Sequence, residues 1–274
     1  MKLAVLVAAS LAVLAAVALS VTGATAGAPE RLLPDLDELA PGELDVRVVA
    51  RADGRRRVRL GFSSASSNRG EGPRVIDGTR RPGRQTMRVR QLVRRRGAGP
   101  LVHRDAGVLR FEVASDHRHW HLEEFQRFEL RRAGDGKLVR RPRKAGFCLG
   151  DRFPDPRLER LPNRPRTARW THRCGLNRHT ARRMREGISV GYGDIYHPHL
   201  EGQSVDITGV PAGRYLLVPR ANPARRLLES DYANNASSLL LRISAARDRA
   251  APAVRTLATC ADSAPCGGFP RASR

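Results

Sequence analysis

Apolar and polar residues alternate with a period of two along much of this chain. Leu44, Val46 and Val48 share one phase, and after an Asp53-Gly54 pair the alternation resumes with Val58, Leu60 and Phe62. Successive side chains of an extended strand point to opposite faces, so this spacing predicts strands, and Asp-Gly between two runs predicts a hairpin. Residues 63–84, rich in Ser, Asn, Gly and Pro, read as a long loop. Met87, Val89 and Gln91 mark another strand, Arg94 to Gly99 a basic turn, and Leu109, Phe111 and Val113 a further strand. Phe128 and Leu130 begin one more, turned by Ala133-Gly134-Asp135-Gly136. Residues 149–186 show little periodicity and read as a long loop, with one helical turn expected at Arg182 to Glu186. Val205 and Ile207, Tyr215 to Val218, and Leu239, Leu241 and Ile243 complete the set. No stretch carries the 3.6-residue period of a helix of ordinary length. The expectation is an all-β fold, an antiparallel β-sandwich whose long loops carry the functional site.

The ends read differently. Lys2, an apolar run from Leu3 to about Val21 and Ala24-Thr25-Ala26 have the layout of a secretory signal cleaved after residue 26; an uncleaved membrane anchor is the alternative. Residues 27–43 read as an exposed lead-in, 44–245 as the domain, and 246–274, rich in Ala, Arg and Pro, as a poorly ordered tail. The expected localisation is secreted or cell-surface.

Charge changes the picture of partners. The formal net charge is +23, which raises nucleic acid or an anionic surface polymer as partners. Aromatic residues are only 5%, and the arginines are spread along the chain, so nucleic acid is not expected and the charge reads as adhesion to an anionic cell-surface polymer at most. The cysteines, Cys148, Cys174, Cys260 and Cys266, are even in number and none has CxxC spacing. With an export signal this favours disulfides, Cys148–Cys174 and Cys260–Cys266 being the preferred pairing.

The candidate chemistry centres on Asp116-His117-Arg118-His119-Trp120-His121. Histidines at every second position of a strand share a face, where three imidazoles can close on one metal and leave its other side open. Ligand type alone allows Zn, Cu, Fe or Ni. In phase with Leu109, Phe111 and Val113, the three histidines are expected on the core face of one continuous strand. Lys2, Lys137 and Lys144 are the only lysines among 50 basic residues. Lys144 therefore reads either as a stray surface lysine or as a place where an amine, which can lose its proton and act as a nucleophile, is needed for what a guanidinium cannot do. Of the tyrosines, Tyr196 lies in the Gly- and His-rich stretch Gly191 to His199; His197 and His199 read as surface or supporting residues there.

His117-x-His119-x-His121 followed by Glu124-Phe125, then Lys144-Ala145-x-Phe147-Cys148-Leu149-x-Asp151, resembles the catalytic domain of the lysyl oxidases. So do Gly187-Ile188-Ser189, Asp194-x-Tyr196, Gln203-x-Val205-Asp206-Ile207-Thr208 and Glu229-Ser230-Asp231-Tyr232-x-Asn234-Asn235, over roughly 109–243. The resemblance implies Cu(II) on His117, His119 and His121, and lysine tyrosylquinone made from Lys144 and Tyr196. It implies oxidative deamination of a primary amine, protein lysine or similar, to an aldehyde with release of ammonia and H₂O₂. Asp194, two residues from Tyr196, is the candidate base. The chain departs from animal members in having fewer cysteines, one residue fewer between His121 and the Glu-Phe pair, and Arg127 where they carry another histidine. A noncatalytic metal-binding or adhesive β-sandwich of the cell envelope is the alternative function, and a zinc hydrolase would leave Lys144 and Tyr196 unexplained.

Overall fold

The computed structural model describes residues 28–114, 118–142, 146–246 and 250–266. In chain order the strands are β1 (Arg31–Leu32), β2 (Leu36–Glu38), β3 (Gly42–Ala50), β4 (Arg56–Asn68), β5 (Arg74–Thr79) and β6 (Thr86–Arg95). They continue with β7 (Ala98–Val113), β8 (Arg118–Leu122), β9 (Gln126–Arg132), β10 (Leu138–Arg140), β11 (Phe153–Pro154) and β12 (Arg183–Ile188). The last are β13 (Tyr192–Tyr196), β14 (Ser204–Asp206), β15 (Gly213–Ala221), β16 (Ser238–Ile243) and β17 (Val254–Cys260). Every pairing among them is antiparallel. One sheet runs β12-β5-β6-β7-β8 with β1 against β6, and a second runs β10-β9-β15-β16-β17. The third runs β11-β13-β4-β14, with β2 and β3 also on β4. The all-β reading holds, and among the described residues the helical content is one 3₁₀ turn, Leu158–Arg160. No helix of the described residues is long and apolar enough to cross a membrane. The signal segment lies outside them.

Most of the alternation read from sequence falls where expected, although Val48 and Val113 are exposed. Val46 faces Leu60 and Val48 faces Val58 across β3 and β4, with Gly54 at φ +75° in the turn between them. Met87 and Val89 of β6, Leu109 of β7, Leu130 of β9 and Leu217 of β15 are buried in one core. There Phe62 and Phe128 meet edge to face with centroids 4.9 Å apart. The structure joins Cys148 to Cys174 and Cys260 to Cys266.

Four local expectations give way to tertiary pairing. The stretch 63–84 is not one loop: β4 continues to Asn68, and β5 follows. The serines of β4 are buried because β13 and β2 supply ladder partners, while Gln203, Gln126 and Glu38 hydrogen-bond the hydroxyls of Ser64 and Ser66. The lead-in over 27–43 is not exposed, since Leu32 and Leu36 are buried and β2 closes part of the edge of β4. Arg182 to Glu186 forms no helical turn; Arg183–Ile188 is β12, fixed by its ladder with β5. Part of the tail read as poorly ordered is β17, paired along β16.

Two buried carboxylates sit in polar networks of the core. Glu38 accepts hydrogen bonds from Gln126 Nε2 at 2.8 and 2.7 Å and from Ser66. Glu229 accepts from Asn222, from Asn235 at 2.9 Å and from the Leu36 amide at 2.8 Å. Burial pushes Glu38 up to about 8 and Glu229 up to about 7. Such groups hold protons in the folded chain that the unfolded chain releases above about pH 4.5. Their stabilisation is complete below that pH and is lost as pH rises through 7 to 8. Asp77 and Asp155, held low by arginines and hydrogen bonds that outweigh their burial, act oppositely at the acid end. The unfolding free energy should therefore peak near pH 4–5 and fall by several kcal/mol, on the order of 1.4 per raised group per pH unit, by pH 8.5. Urea denaturation across that range checks this, and Glu38→Gln should make the alkaline fall shallower; an unchanged slope would contradict the assignment.

Candidate active site

The site is assembled on β8 and on the segment that follows Gly146. β7 ends at Val113 and β8 runs back along it, with Phe111 opposite Trp120 and Arg110 opposite His121. Directly opposed residues of an antiparallel pair share a face. Leu109 and Phe111 therefore share their face with Leu122 and Trp120, and His119 and His121 point the other way, beside Glu112 and Arg110. The expected core-face phase of the histidines fails because the chain reverses between the two strands instead of continuing through them. His121 is nonetheless only 1% exposed, for the Gly146 backbone lies over it: a Cβ built on Gly146 would stand 3.3 Å from His121 Cβ.

His119 Nε2 and His121 Nε2 are 2.8 Å apart. Two imidazoles on one ion, with bonds of about 2.0–2.1 Å at the roughly right angle of a tetragonal site, place their nitrogens about 2.9 Å apart. The described pair thus fits two ligands of one metal. His117, the third expected ligand, lies outside the described residues, as does Lys144. His197 pairs with Glu43 at 2.8 Å and stacks on His199, so the structure gives these two histidines partners of their own.

The segment from Gly146 to Asp151 ties this strand to the rest of the site. Phe147 forms a bridge with Leu122, its amide donating to the Leu122 carbonyl at 3.1 Å and its carbonyl accepting at 2.8 Å. Cys148 is held by its disulfide, and its carbonyl accepts the Tyr196 hydroxyl. The Leu149 amide donates to Glu186 at 3.2 Å and the Gly150 amide to Asp194 Oδ2 at 2.9 Å. Asp151 accepts from the amides of Ser189, Arg169 and Trp170 at 2.7, 2.8 and 3.1 Å. Tyr196, which ends β13, meets Phe147 edge to face at 4.5 Å. A Cβ on Gly187 would lie 2.3 Å from the Trp170 ring, so only glycine lets that indole close over β12.

Electrostatics around Tyr196 are set by burial. Asp194 is 3% exposed, accepts from the amides of Gly150 and Ile195, and lies 3.9 Å from Arg152 Nε and 3.5 Å from Tyr196 Oη. Burial pushes it up to about 7. Glu186 is pushed up to about 8 for the same reason. The Tyr196 phenol is raised well above its ordinary value, by burial first and then by the charges of Asp194 and Glu186. Behind them Arg74 is wholly buried on the inner face of β5. Its guanidinium lies over the Phe125 ring at 5.6 Å and has no hydrogen-bond partner among the described residues. Burial lowers it to about 10, so it stays charged opposite the carboxylates. The sequence reading missed Arg74 and Glu186. One arginine among so many carries no signal, and Glu186 was hidden in an expected helical turn; its position directly before Gly187-Ile188-Ser189 is the one clue.

The lysyl oxidase family model matches residues 64–249, well over half of the chain. This chain belongs to the lysyl oxidase family. It is 35% identical over 126 residues to human "Lysyl oxidase homolog 1", covering 46% of this chain and 19% of that protein. It is 33% identical over 126 residues to pig "Protein-lysine 6-oxidase", covering 46% of this chain and 44% of that protein. Against chicken "Lysyl oxidase homolog 2" it is 33% identical over 120 residues, covering 43% and 13%. The chain thus spans less than half the length of these curated relatives. Its lysyl oxidase match includes β8, the Gly146–Asp151 segment that bridges to it, and β13, which carries Tyr196.

Replacing Arg74 with Met removes a cation that faces Glu186 and Asp194. At pH 8, where both carboxylates shed protons, the loss should be about 3 kcal/mol. At pH 5 both are protonated and the loss should be much smaller. Denaturant unfolding at the two pH values checks this; equal losses would mean that Arg74 acts through packing alone.

Proposed function

We propose that this protein is an exported, copper-dependent amine oxidase that takes primary amines, protein lysine among them, to aldehydes. The observation that carries the reading is the convergence of His119 and His121 beside the segment that anchors Tyr196, in a chain of the lysyl oxidase family. On this reading residues 1–26 are a signal peptide, and the catalytic body includes 44–245. His117, His119 and His121 would hold Cu(II), for which imidazole is a suitable ligand. Tyr196 and Lys144, which stands two residues before Gly146 in the chain, would form lysine tyrosylquinone. Copper and that cofactor would supply the two-electron oxidation of the amine, with O₂ reduced to H₂O₂ and ammonia released.

The chain's own residues orient and exchange protons. Phe147 fixes the ring of Tyr196 from one edge, and the Cys148 carbonyl fixes its hydroxyl. A rigid ring presents its reacting positions at a constant angle, which is what preorganisation contributes to rate. Asp194 would take the proton from the carbon next to the amine nitrogen; a carboxylate raised to about 7 both accepts and returns a proton near neutral pH. Glu186, raised to about 8, stays largely protonated beside it and spares the site a second buried negative charge. Protein lysine is the substrate named for the pig relative, and it is proposed here by descent.

Two experiments test the reading. Mature protein incubated aerobically with Cu(II) should yield, by peptide mass spectrometry, a crosslinked peptide containing Lys144 and Tyr196 that is absent in Lys144→Arg. Unmodified Lys144 and Tyr196 in fully copper-loaded protein would refute it. If Asp194 is the base, turnover of a small amine should rise with pH through about 7, because only the ionised carboxylate accepts a proton. Asp194→Asn should lower kcat by about 10²–10⁴-fold with copper content and the crosslink intact. A pH profile that is flat through that range would assign the proton to another group.

A further inference from the structure

A protein of net charge +23 repels the free cation of an alkylamine, yet the proposed function needs an amine at the site. The distribution of arginine bears on this. Residues 78–104 contain nine arginines and no Asp or Glu, and residues 160–185 again contain nine arginines and no Asp or Glu. These stretches are far apart in sequence, but the fold brings Arg183 and Arg185 from the end of the second beside Arg88 and Arg90 of the first on one sheet, where β12 and β6 flank β5. On the outer face of that sheet Arg183, Thr79 and Arg88 lie in one row, and Arg185, Asp77 and Arg90 in the next. Asp77 is already engaged by Arg90, Arg183 and Arg185, at 2.7, 2.9 and 3.6 Å. One carboxylate thus serves three guanidiniums. Beside this row is a cavity of about 680 Å³ lined by Thr79, Arg80, Arg81, Arg84, Thr86 and Arg88. Arg80 is committed, donating to the carbonyls of Ala181, Arg84 and His179 and lying over the Trp120 ring. Arg81, Arg84 and Arg88 are exposed.

The face also contains the candidate metal ligands. Thr86 pairs with Arg110, and Arg110 with His121, so the row through Thr86 ends on His121, with His119 opposite Glu112 in the next row. β6 and β8 are separated by one strand, about 10 Å at ordinary strand spacing.

We propose that the amine is delivered on an acidic protein, whose carboxylates dock on this arginine face and bring a lysine to the site. Guanidiniums take carboxylates in bidentate pairs, and a field of this sign turns the charge that repels a free amine into attraction for the chain that bears it. The inference rests on the proposed function for the amine and on the face for the carrier.

The test uses copper-loaded mature protein and three probes: a glutamate-rich peptide with one lysine, a Gly/Ser/Gln peptide with one lysine, and butylamine. Fluorescence anisotropy gives peptide affinity, and H₂O₂ release gives turnover. The acidic peptide should bind at least about tenfold tighter than the neutral one, and the preference should fade between 50 and 300 mM salt. The variant Arg81→Gln, Arg84→Gln, Arg88→Gln should lose about tenfold in kcat/KM for the acidic peptide through KM, with kcat and butylamine turnover unchanged. Equal binding of the two peptides, or an unchanged variant, overturns the docking face. So does displacement of the acidic peptide by duplex DNA or an anionic polysaccharide of equal charge, which would mark a general polyanion site. No turnover of any probe, with the binding preference intact, would sink the oxidase reading and leave the face as an acidic-protein site.

Discussion

The site depends on how the main chain from Leu149 to Asp151 is held. Buried carboxylates do this: Glu186 takes the Leu149 amide, Asp194 the Gly150 amide, and Asp151 the amides of Arg169, Trp170 and Ser189. A buried amide without an acceptor costs about as much as a lost hydrogen bond, so these contacts determine where an irregular segment can lie. The Cys148–Cys174 bridge adds a covalent limit at the same place. Once the segment is fixed, the Cys148 carbonyl defines the position of the Tyr196 hydroxyl and Phe147 defines the ring's edge contact. The Phe147–Leu122 bridge carries that placement to the strand of His119 and His121.

Using carboxylates for this purpose has an electrostatic consequence. Burial raises Asp194 and Glu186 into the neutral range, and the low dielectric that raises them also makes the charge on Arg74 felt across the site. The interior is thus rich in carboxylates that exchange protons near pH 7, while the outside is rich in arginines that never do. The two regions meet at β5: Arg74 faces inward among carboxylates, whereas Asp77 faces outward among arginines. That inversion follows from the period of two, which sends residues three apart to opposite faces.

Much of the fold was legible because period-two alternation reports directly which face of a strand is buried. The β3/β4 hairpin, the runs in β6, β7, β15 and β16, and both disulfides follow from residue pattern and cysteine spacing. Residue chemistry also marked His119, His121 and Tyr196, since imidazoles in alternation and a scarce tyrosine among glycines are unusual on their own account, whereas Asp194 was named only for its place beside Tyr196 in the family resemblance. The serine-rich end of β4, the buried β2 and the terminal β17 were not legible, because strand identity there comes from ladder partners distant in sequence.

By itself, then, the sequence indicated the all-β class, a preferred cysteine pairing and a cluster of imidazole, amine and phenol side chains, for these are properties of local spacing and functional groups. Only the tertiary structure decided which face the histidines take, since a chain reversal between Val113 and Arg118 changes the phase and no local pattern reports it. It alone brought Arg74 and Glu186 behind the site and set Arg183 and Arg185 beside Arg88 and Arg90 on one sheet. Those are consequences of strand order, and strand order is set by the burial of the whole core at once.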